Sequence, residues 1–485
     1  MERHDKTDHS ESLVVFISKE QEKSFLEVPF EVGPDVDELR VFMTVSNLSS
    51  ELNAASESNL SSEKATIDLG LRDGERTRGW SGGARRELFI TACTATPGYL
   101  PGRIEAGQWA VLLGAYEVPA RGCEVQLRIE YTKRRPRWFR GDLHGHSLHS
   151  DGAFTLEEIA RLVEDAGLDF MGLADHNTHS QNLSYPKDTP ILFIPAMELT
   201  TYKGHCNLFG VAEPTDDFRT SSIGELRHHL QTARSRGAII SINHPHDTSC
   251  PSCHWQWGFD IDYDWVEVWN GPWRDSNARA VEWWHSELVS GHKLVAVGGS
   301  DTHRPHPYVR HGVPTTWIYT DTFSSAGLLD GISQGHVFLS YSPDGPTIDF
   351  RCGDFMCGDT VDKETAAECV LRISGLQTGD LVKVISDKGL KMNEVIRADG
   401  MSEGSRGGDS TDSGSAYAWT DISADASTDA SADGLSKVRW SFDHNDVQFY
   451  RVEVWREFPE ANQVNPLDQV NQRLMAALSN PIYFA

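Results

Sequence analysis

Apolar and polar residues alternate along much of residues 25–132. Phe25-Leu-Glu-Val-Pro-Phe-Glu-Val32, Glu38-Leu-Arg-Val-Phe-Met-Thr-Val45 and Gly122-Cys-Glu-Val-Gln-Leu-Arg-Ile-Glu-Tyr131 each put one apolar and one polar face on an extended chain. Turn-dense loops such as Arg78-Gly-Trp-Ser-Gly-Gly83 and Pro97-Gly-Tyr-Leu-Pro-Gly102 separate such strands. The pattern predicts an all-β sandwich or jelly roll over 25–137, preceded by a disordered 1–24 and ending in the basic linker Lys133-Arg-Arg-Pro-Arg137.

The period changes at residue 138. Thr155-Leu-Glu-Glu158 has the form of a capping box, and Leu156, Ile159, Ala160 and Val163 follow at i, i+3, i+4 and i+7 of a helix. Apolar strand candidates then recur at 138–143, 170–174, 191–194, 206–211, 238–242, 265–269 and 294–297, with helices expected at 222–236 and 276–290. Repeated β-α units with apolar strands imply a parallel sheet, and about seven of them imply a closed barrel over 138–342. From 343 to 485 alternation returns in 367–373, 381–385 and 448–455, which predicts a small C-terminal β domain. A Ser/Asp/Gly/Ala tract at 400–435 carries seven acids against the single base Arg406, and it reads as a disordered insertion because it cannot bury a core. The expected class is therefore α/β, a barrel flanked by two β domains.

Charge narrows the partners. A net −27 over 485 residues argues against nucleic acid and anionic membranes, which both require basic patches. No apolar run reaches the length of a membrane span, and the charged start lacks the apolar stretch of a signal peptide, so a cytoplasmic location is expected. Eight scattered cysteines are expected to be reduced. In Cys250-Pro-Ser-Cys253-His254 they read as part of a structural loop rather than half a zinc knuckle.

Histidine carries the chemistry: 16 of 20 lie between His144 and His311. In Gly141-Asp-Leu-His144-Gly-His146 the two imidazoles are two apart and share a face of an extended chain, and Ser-Asp151-Gly follows in a turn. Asp175-His176-Asn177, Glu198, Gly204-His205, Asn243-His244-Pro and Ser300-Asp301-Thr-His303 then fall at successive predicted strand ends or starts. Nine residues are the ligand candidates: His144, His146, Asp151, His176, Glu198, His205, His244, Asp301 and His303. Mixed nitrogen and oxygen donors suit Zn, Mn or Fe.

In order and spacing these elements resemble the polymerase and histidinol phosphatase (PHP) domain in its carbaryl-hydrolase-like branch, over about residues 138–342. The ending Leu478-Ser-Asn-Pro-Ile-Tyr483 is also similar to members with a three-part layout. The resemblance implies a distorted seven-stranded TIM-like barrel and two or three divalent ions. It implies one site of His144, His146, Glu198 and Asp301, a second of Glu198, His205 and His244, and a third of Asp151, His176 and His303. Glu198, Asp301 and His303 are the catalytic candidates, and His246, Arg274, Arg304 and Trp273 the substrate contacts. The expected activity is hydrolysis of a small anionic phosphoester by a metal-bridging hydroxide. A carboxylic ester or carbamate hydrolase is the alternative on the same ions, and a non-catalytic binding protein with a degenerate barrel stands outside enzymes altogether.

Overall fold

The computed structural model describes residues 7–47, 65–364, 368–397, 402–404, 438–442, 446–458 and 473–485. They form two compact units, one of residues up to 136 with 321–324 and one of 137–320 with 325–485.

The first unit contains β1 (His9–Ile17), β2 (Phe25–Val32), β3 (Val36–Asn47), β4 (Thr66–Arg72), β5 (Thr77–Trp80), β6 (Glu87–Thr91), β7 (Gly107–Glu117) and β8 (Cys123–Lys133). Two antiparallel four-stranded sheets, ordered β1-β8-β3-β6 and β2-β7-β4-β5, enclose a core that includes Leu39, Val41, Leu69, Val111, Leu127 and Ile129. The expected sandwich starts earlier than residue 25. Residues 9–17 lie within the stretch expected to be disordered, yet they pair along their whole length with 123–131. The alternating side chains of Leu13 and Val15 pack against the core, which repays the ordering of this strand.

The second unit opens with β9 (Arg137–Asp142), α1 (Leu156–Asp165), β10 (Phe170–Leu173), β11 (Leu192–Thr201), β12 (Gly204–Phe209), α2 (Ile223–Ser235), β13 (Ile239–Ile242), β14 (Trp265–Asn270), α3 (Asp275–Val289) and β15 (Val295–Gly299). β16 (Thr315–Thr320), α4 (Ser325–Ser333) and β17 (Val337–Ser340) follow. The Thr155–Glu158 capping box forms as its sequence dictates, and Leu156, Ile159, Ala160 and Val163 are buried against Met171, Leu173 and Phe193. Each fully buried aliphatic of this kind stabilises by about 1.5–3 kcal/mol.

β9/β10, β10/β11, β13/β14 and β14/β15 are parallel, as expected. β12 runs antiparallel to both neighbours, and β16 runs antiparallel to β9. The reason is length, because Tyr202 and Lys203 alone connect β11 to β12 and a parallel crossover needs a dozen or more residues. The sheet curls until the end of β15 meets β9. The Ser300 amide donates to Asp142 Oδ1 at 2.9 Å and the Asp301 amide to the His144 carbonyl at 2.8 Å. Thr316 Oγ1 on β16 also donates to the Gly298 carbonyl at 2.7 Å. The result is a mixed α/β unit.

The C-terminal strands fall in the same compact unit and carry a core that includes Ile348, Leu371, Val384, Val452 and Ile482. They are β18 (Thr347–Cys352), β19 (Phe355–Met356), β20 (Thr360–Val361), β21 (Cys369–Ser374), β22 (Leu381–Ser386), β23 (Gly389–Ile396), β24 (Ser402–Gly404), β25 (Val438–Phe442), β26 (Phe449–Glu457), β27 (Arg473–Ser479) and β28 (Ile482–Phe484). β17 pairs with β27, so one sheet continues from β15 round to β24. Asn480 reinforces this join, accepting from the Ala296 amide and donating to the Ala296 and Val337 carbonyls. The acidic tract expected to be disordered lies outside the described residues apart from 402–404. Among the described residues, no helix is long and apolar enough to cross a membrane.

Candidate metal centre

The centre grows from the ends of the curled strands. Asp142, fully buried at the end of β9, accepts from the amides of His144, Ser300 and Gly312 at 3.1, 2.9 and 2.9 Å. This carboxylate fixes the path of the chain as it leaves the strand, and the fully buried His144 and His146 follow two apart. The His146 amide donates to the Thr302 carbonyl at 3.0 Å, so the segments carrying His144, His146 and Asp301 run side by side. Gly299 makes the approach possible: a Cβ there would lie 2.3 Å from His144 Cβ and 2.8 Å from its backbone nitrogen.

Glu198, on β11, is the hub. Thr200 pairs with His205 across β11 and β12, which sets His205 diagonal to Glu198 on the same face. After β10 the chain runs parallel to Glu198, which brings His176 alongside. The buried Glu198 carboxylate therefore lies 2.6 Å from His176 Nδ1, 3.3 Å from His205 Nδ1, 3.4 Å from His144 Nε2, 3.6 Å from His244 Nε2 and 3.8 Å from His146 Nε2. Asn243 Nδ2 donates to Glu198 Oε1 at 2.7 Å and to Asn207 Oδ1 at 2.9 Å, fixing the carboxylate between strands.

Three overlapping groups of donor atoms result: His144, His146 and Asp301; His144, Glu198 and His244; and His146, Asp151, His176 and His303. Ligand atoms about 2.1 Å from a tetrahedral ion lie roughly 3.4 Å apart. His144 Nε2 is 3.4 Å from Glu198 Oε1 and 3.5 Å from Asp301 Oδ1. In the third group Asp151 Oδ1, His176 Nε2 and His303 Nε2 are separated by 3.6, 3.4 and 3.4 Å. These clusters can hold divalent metal ions. The Asp151 side chain is 58% exposed, so the third group opens to solvent while the Glu198 group is buried. His205 touches Glu198 through Nδ1 but belongs to none of the three groups.

The hydrogen bonds on the far side of the rings set their chemistry. His244 Nδ1 donates to the Cys253 carbonyl at 3.1 Å and His303 Nδ1 to the Asp301 carbonyl at 2.9 Å. A carbonyl only accepts, so in a neutral ring each Nδ1 carries the proton and each Nε2 presents a lone pair to the donor groups. His144 Nδ1 bonds Glu267 Oε1 at 2.9 Å, and its buried Nε2 has no hydrogen-bond partner. Lone pairs and carboxylate oxygens facing each other at this range, away from water, are satisfied by a positive charge between them, either a metal ion or the ring's own proton. Burial pushes His144 down, but Glu267, Asp301 and Glu198 outweigh it and hold the imidazole well above its usual value. In the same way burial lowers His244, and Glu198, Glu267 and Asp301 raise it to about 9. Burial pushes Glu198 up, yet His205, His144 and His176 keep its carboxyl well below the usual range. Asp301 is likewise held low by His144 and His146 against its burial.

Backbone strain concentrates here. Asn177, His244 and Asp301 have φ values of +54°, +27° and +55°. Such conformations cost roughly 1–3 kcal/mol each, and surrounding bonds hold them in place. Asn177 exchanges hydrogen bonds with the Thr200 amide and carbonyl, and the His244 amide donates to Glu267 Oε2 at 3.1 Å.

Glu267 is absent from the candidates read from the sequence. It lies 3% exposed on β14, bonded to His144 Nδ1, the His244 amide and Asn270 Nδ2. A lone carboxylate inside the apolar run Trp265-Val-Glu-Val-Trp269 was the available signal. Glu267→Gln is expected to weaken metal retention by about 10–100-fold, the usual loss for a partner behind a ligating histidine. Titration of apoprotein with Zn against a competing chelator checks it.

The expected substrate contacts are not gathered at the centre. Trp273 is 8% exposed and packs edge-on to Trp269 and Trp455, so its surface is occupied by core packing. His246 stacks edge-on to Trp283, and Arg274 bonds Asn270 Oδ1 at 2.8 Å and lies 3.5 Å from Asp247. Arg304 lines a cavity that none of the nine ligand candidates borders. Thr302 and Arg304 both line that cavity, whereas Asp301 and His303 do not. Nor are all cysteines reduced. Cys250 and Cys253 form a disulfide, because the turn closed by the Cys253 amide and the Cys250 carbonyl brings their Cα atoms to 5.3 Å.

No family model matches the chain, and no curated protein matches it. Among solved structures, one similar protein is a two-domain protein from Bacteroides vulgatus containing a predicted PHP-like metal-dependent phosphoesterase, at 16% identity over 66% of this chain and 90% of that one, with a TM-score of 0.37. Another is an amidohydrolase from Chromobacterium violaceum with bound sulfate and no metal, at 15% identity over 35% of this chain and 89% of that one, with a TM-score of 0.26.

Proposed function

We propose that the chain is a metal-dependent hydrolase of the PHP superfamily, in its carbaryl-hydrolase-like branch, and that it acts on small phosphoesters. The observation that carries the hydrolase reading is the contact of five imidazoles with the one buried carboxylate of Glu198, beside an unpartnered His144 Nε2. Among these rings His144 Nε2 and His205 Nε2 are buried without a hydrogen-bond partner, which a purely structural cluster would be expected to supply. The quoted order of motifs supports the family and the branch.

Two or three Zn, Mn or Fe ions held in these groups would acidify a shared water and offset charge on the attacking and leaving oxygens. His144 and His146 each belong to two of the groups and would keep them together, with Glu198 in contact with both rings. Asn270 donates to Asp301 Oδ2 at 3.3 Å and so limits how that carboxylate turns. His303 stands with Asp151 at the solvent-facing group, where substrate arrives. The overlap of three groups supports phosphoester chemistry, since adjacent ions suit an in-line displacement with charge on two oxygens.

One observation favours the ester or carbamate alternative. Asp142 and Glu267 bond the His144 amide and ring, Asp175 accepts from Ser147 and Ser150 just after His146, and with Asp151, Glu198 and Asp301 these carboxylates would cancel the charge of three divalent ions. The centre then has little net attraction for an anion. A panel of p-nitrophenyl phosphate, bis(p-nitrophenyl) phosphate, p-nitrophenyl acetate and an aryl carbamate, run on metal-loaded protein, separates the two. The proposal expects kcat/KM to be highest for a phosphoester; turnover confined to the acetate or carbamate would replace it with the alternative.

A further inference from the structure

Behind the segments that carry the ligands lies a cavity of about 620 Å³, bordered by the region of α1, residues 302–313 and residues 341–344. Its buried end is polar. His311 is 6% exposed, and neither ring nitrogen has a hydrogen-bond partner; the nearest charged group is Asp142 Oδ2, 3.8 Å from Nδ1. The ring lies directly behind the ligand pair, since a Cβ on Gly145 would be 3.6 Å from His311 Cε1 and 3.7 Å from Nδ1. An imidazole desolvated without partners is unfavourable unless a polar group enters to meet it.

The same lining supplies further donors. His306 Nδ1 accepts from the Tyr308 and Val309 amides at 3.2 and 3.0 Å, which leaves the ring proton on Nε2 as an outward donor. Arg304 and Arg310 line the cavity, and among the described residues neither guanidinium has an ion-pair partner. Asp165 and Asp344 are exposed at the rim, while Phe154, Leu162, Val309 and Val313 give the walls an apolar surface.

We propose that this cavity is a second ligand site, distinct from the metal centre, for a small organic oxyanion: a carboxylate or phosphate on an apolar body. The oxyanion end meets the forked donors of Arg304 and Arg310, which suit planar or tetrahedral oxyanions, together with His306 and His311. The apolar body covers Phe154, Leu162 and Val313.

The test is calorimetric titration of the full chain with benzoate and with phenylphosphonate, using benzyl alcohol as the uncharged control, before and after chelation. One saturable site per chain is expected for at least one anion, with an affinity that chelation leaves unchanged. Benzyl alcohol should bind at least about tenfold more weakly, and Arg310→Ala should weaken the anion by about tenfold or more, the scale of one charge-assisted contact. Arg310 is exposed, so this variant keeps the test valid even if His311→Phe fails to fold. Absence of saturable binding, loss of binding on chelation, or binding unchanged in Arg310→Ala would overturn the site. None of these results depends on which ester the metal centre hydrolyses.

Discussion

Glu198→Gln is expected to lower kcat/KM by about 10³-fold or more and to release at least one metal ion per chain. The substitution keeps the side chain's size, so the packing around it persists while its charge is lost. His176, His205, His144, His244 and His146 all lie within 3.8 Å of that carboxylate. An amide there has one weak acceptor in place of two anionic oxygens, and its N–H groups would engage ring nitrogens that would otherwise face a metal. Metal stabilisation of a transition state is worth several kcal/mol, which corresponds to about three decades in rate. Kinetics and elemental analysis of the variant, beside a circular dichroism spectrum matching the parent, check this. Unchanged turnover with a full complement of metal would remove Glu198 from the centre.

Gly299→Ala should be nearly as damaging for a different reason. The new Cβ would lie 2.3 Å from His144 Cβ, 2.8 Å from its backbone nitrogen and 3.0 Å from Glu267 Oε1. Two of these three neighbours belong to the segment that Asp142 anchors, so they cannot rotate away as a flexible side chain would. Either β15 or the His144 segment must shift, at a cost of about 3 kcal/mol, the upper end of ordinary overpacking. In a unit of this size that corresponds to a fall in Tm of roughly 6–12 °C, accompanied by weaker metal retention. Gly33→Ala, where a Cβ meets nothing within 4 Å, should change Tm by no more than about 2 °C. Thermal melts of both variants decide it, and equal melting temperatures would show that the close approach is relaxed in solution.

What could be read in the sequence was local. The Thr155 capping box, the i, i+3, i+4, i+7 stripe of α1 and the His144/His146 pair depend on neighbours a few residues away, and they fold as their spacing dictates. The ligand candidates were visible because they recur at strand ends, where a curled sheet gathers distant residues. The misreadings were non-local. β1 has its partner more than a hundred residues away on β8, and β17 finds β27 across the whole C-terminal region. Nothing near either strand records those pairings. Glu267 was hidden by the apolar run around it, which is also what buries it against His144. Trp273 and Arg304 were placed by adjacency to candidate ligands, but adjacency does not specify the face to which a side chain turns. The orientation of β12 was open to prediction, since two connecting residues permit only an antiparallel neighbour.

Elemental analysis of the chain after chelator-free purification, paired with turnover before and after chelation, tests the metal centre most directly. At least two equivalents of Zn, Mn or Fe per chain are expected, with hydrolysis lost on chelation and restored when the metal is returned. Less than one equivalent per chain, together with hydrolysis that chelation does not affect, would contradict the assignment of His144, Glu198 and their neighbours as a metal centre.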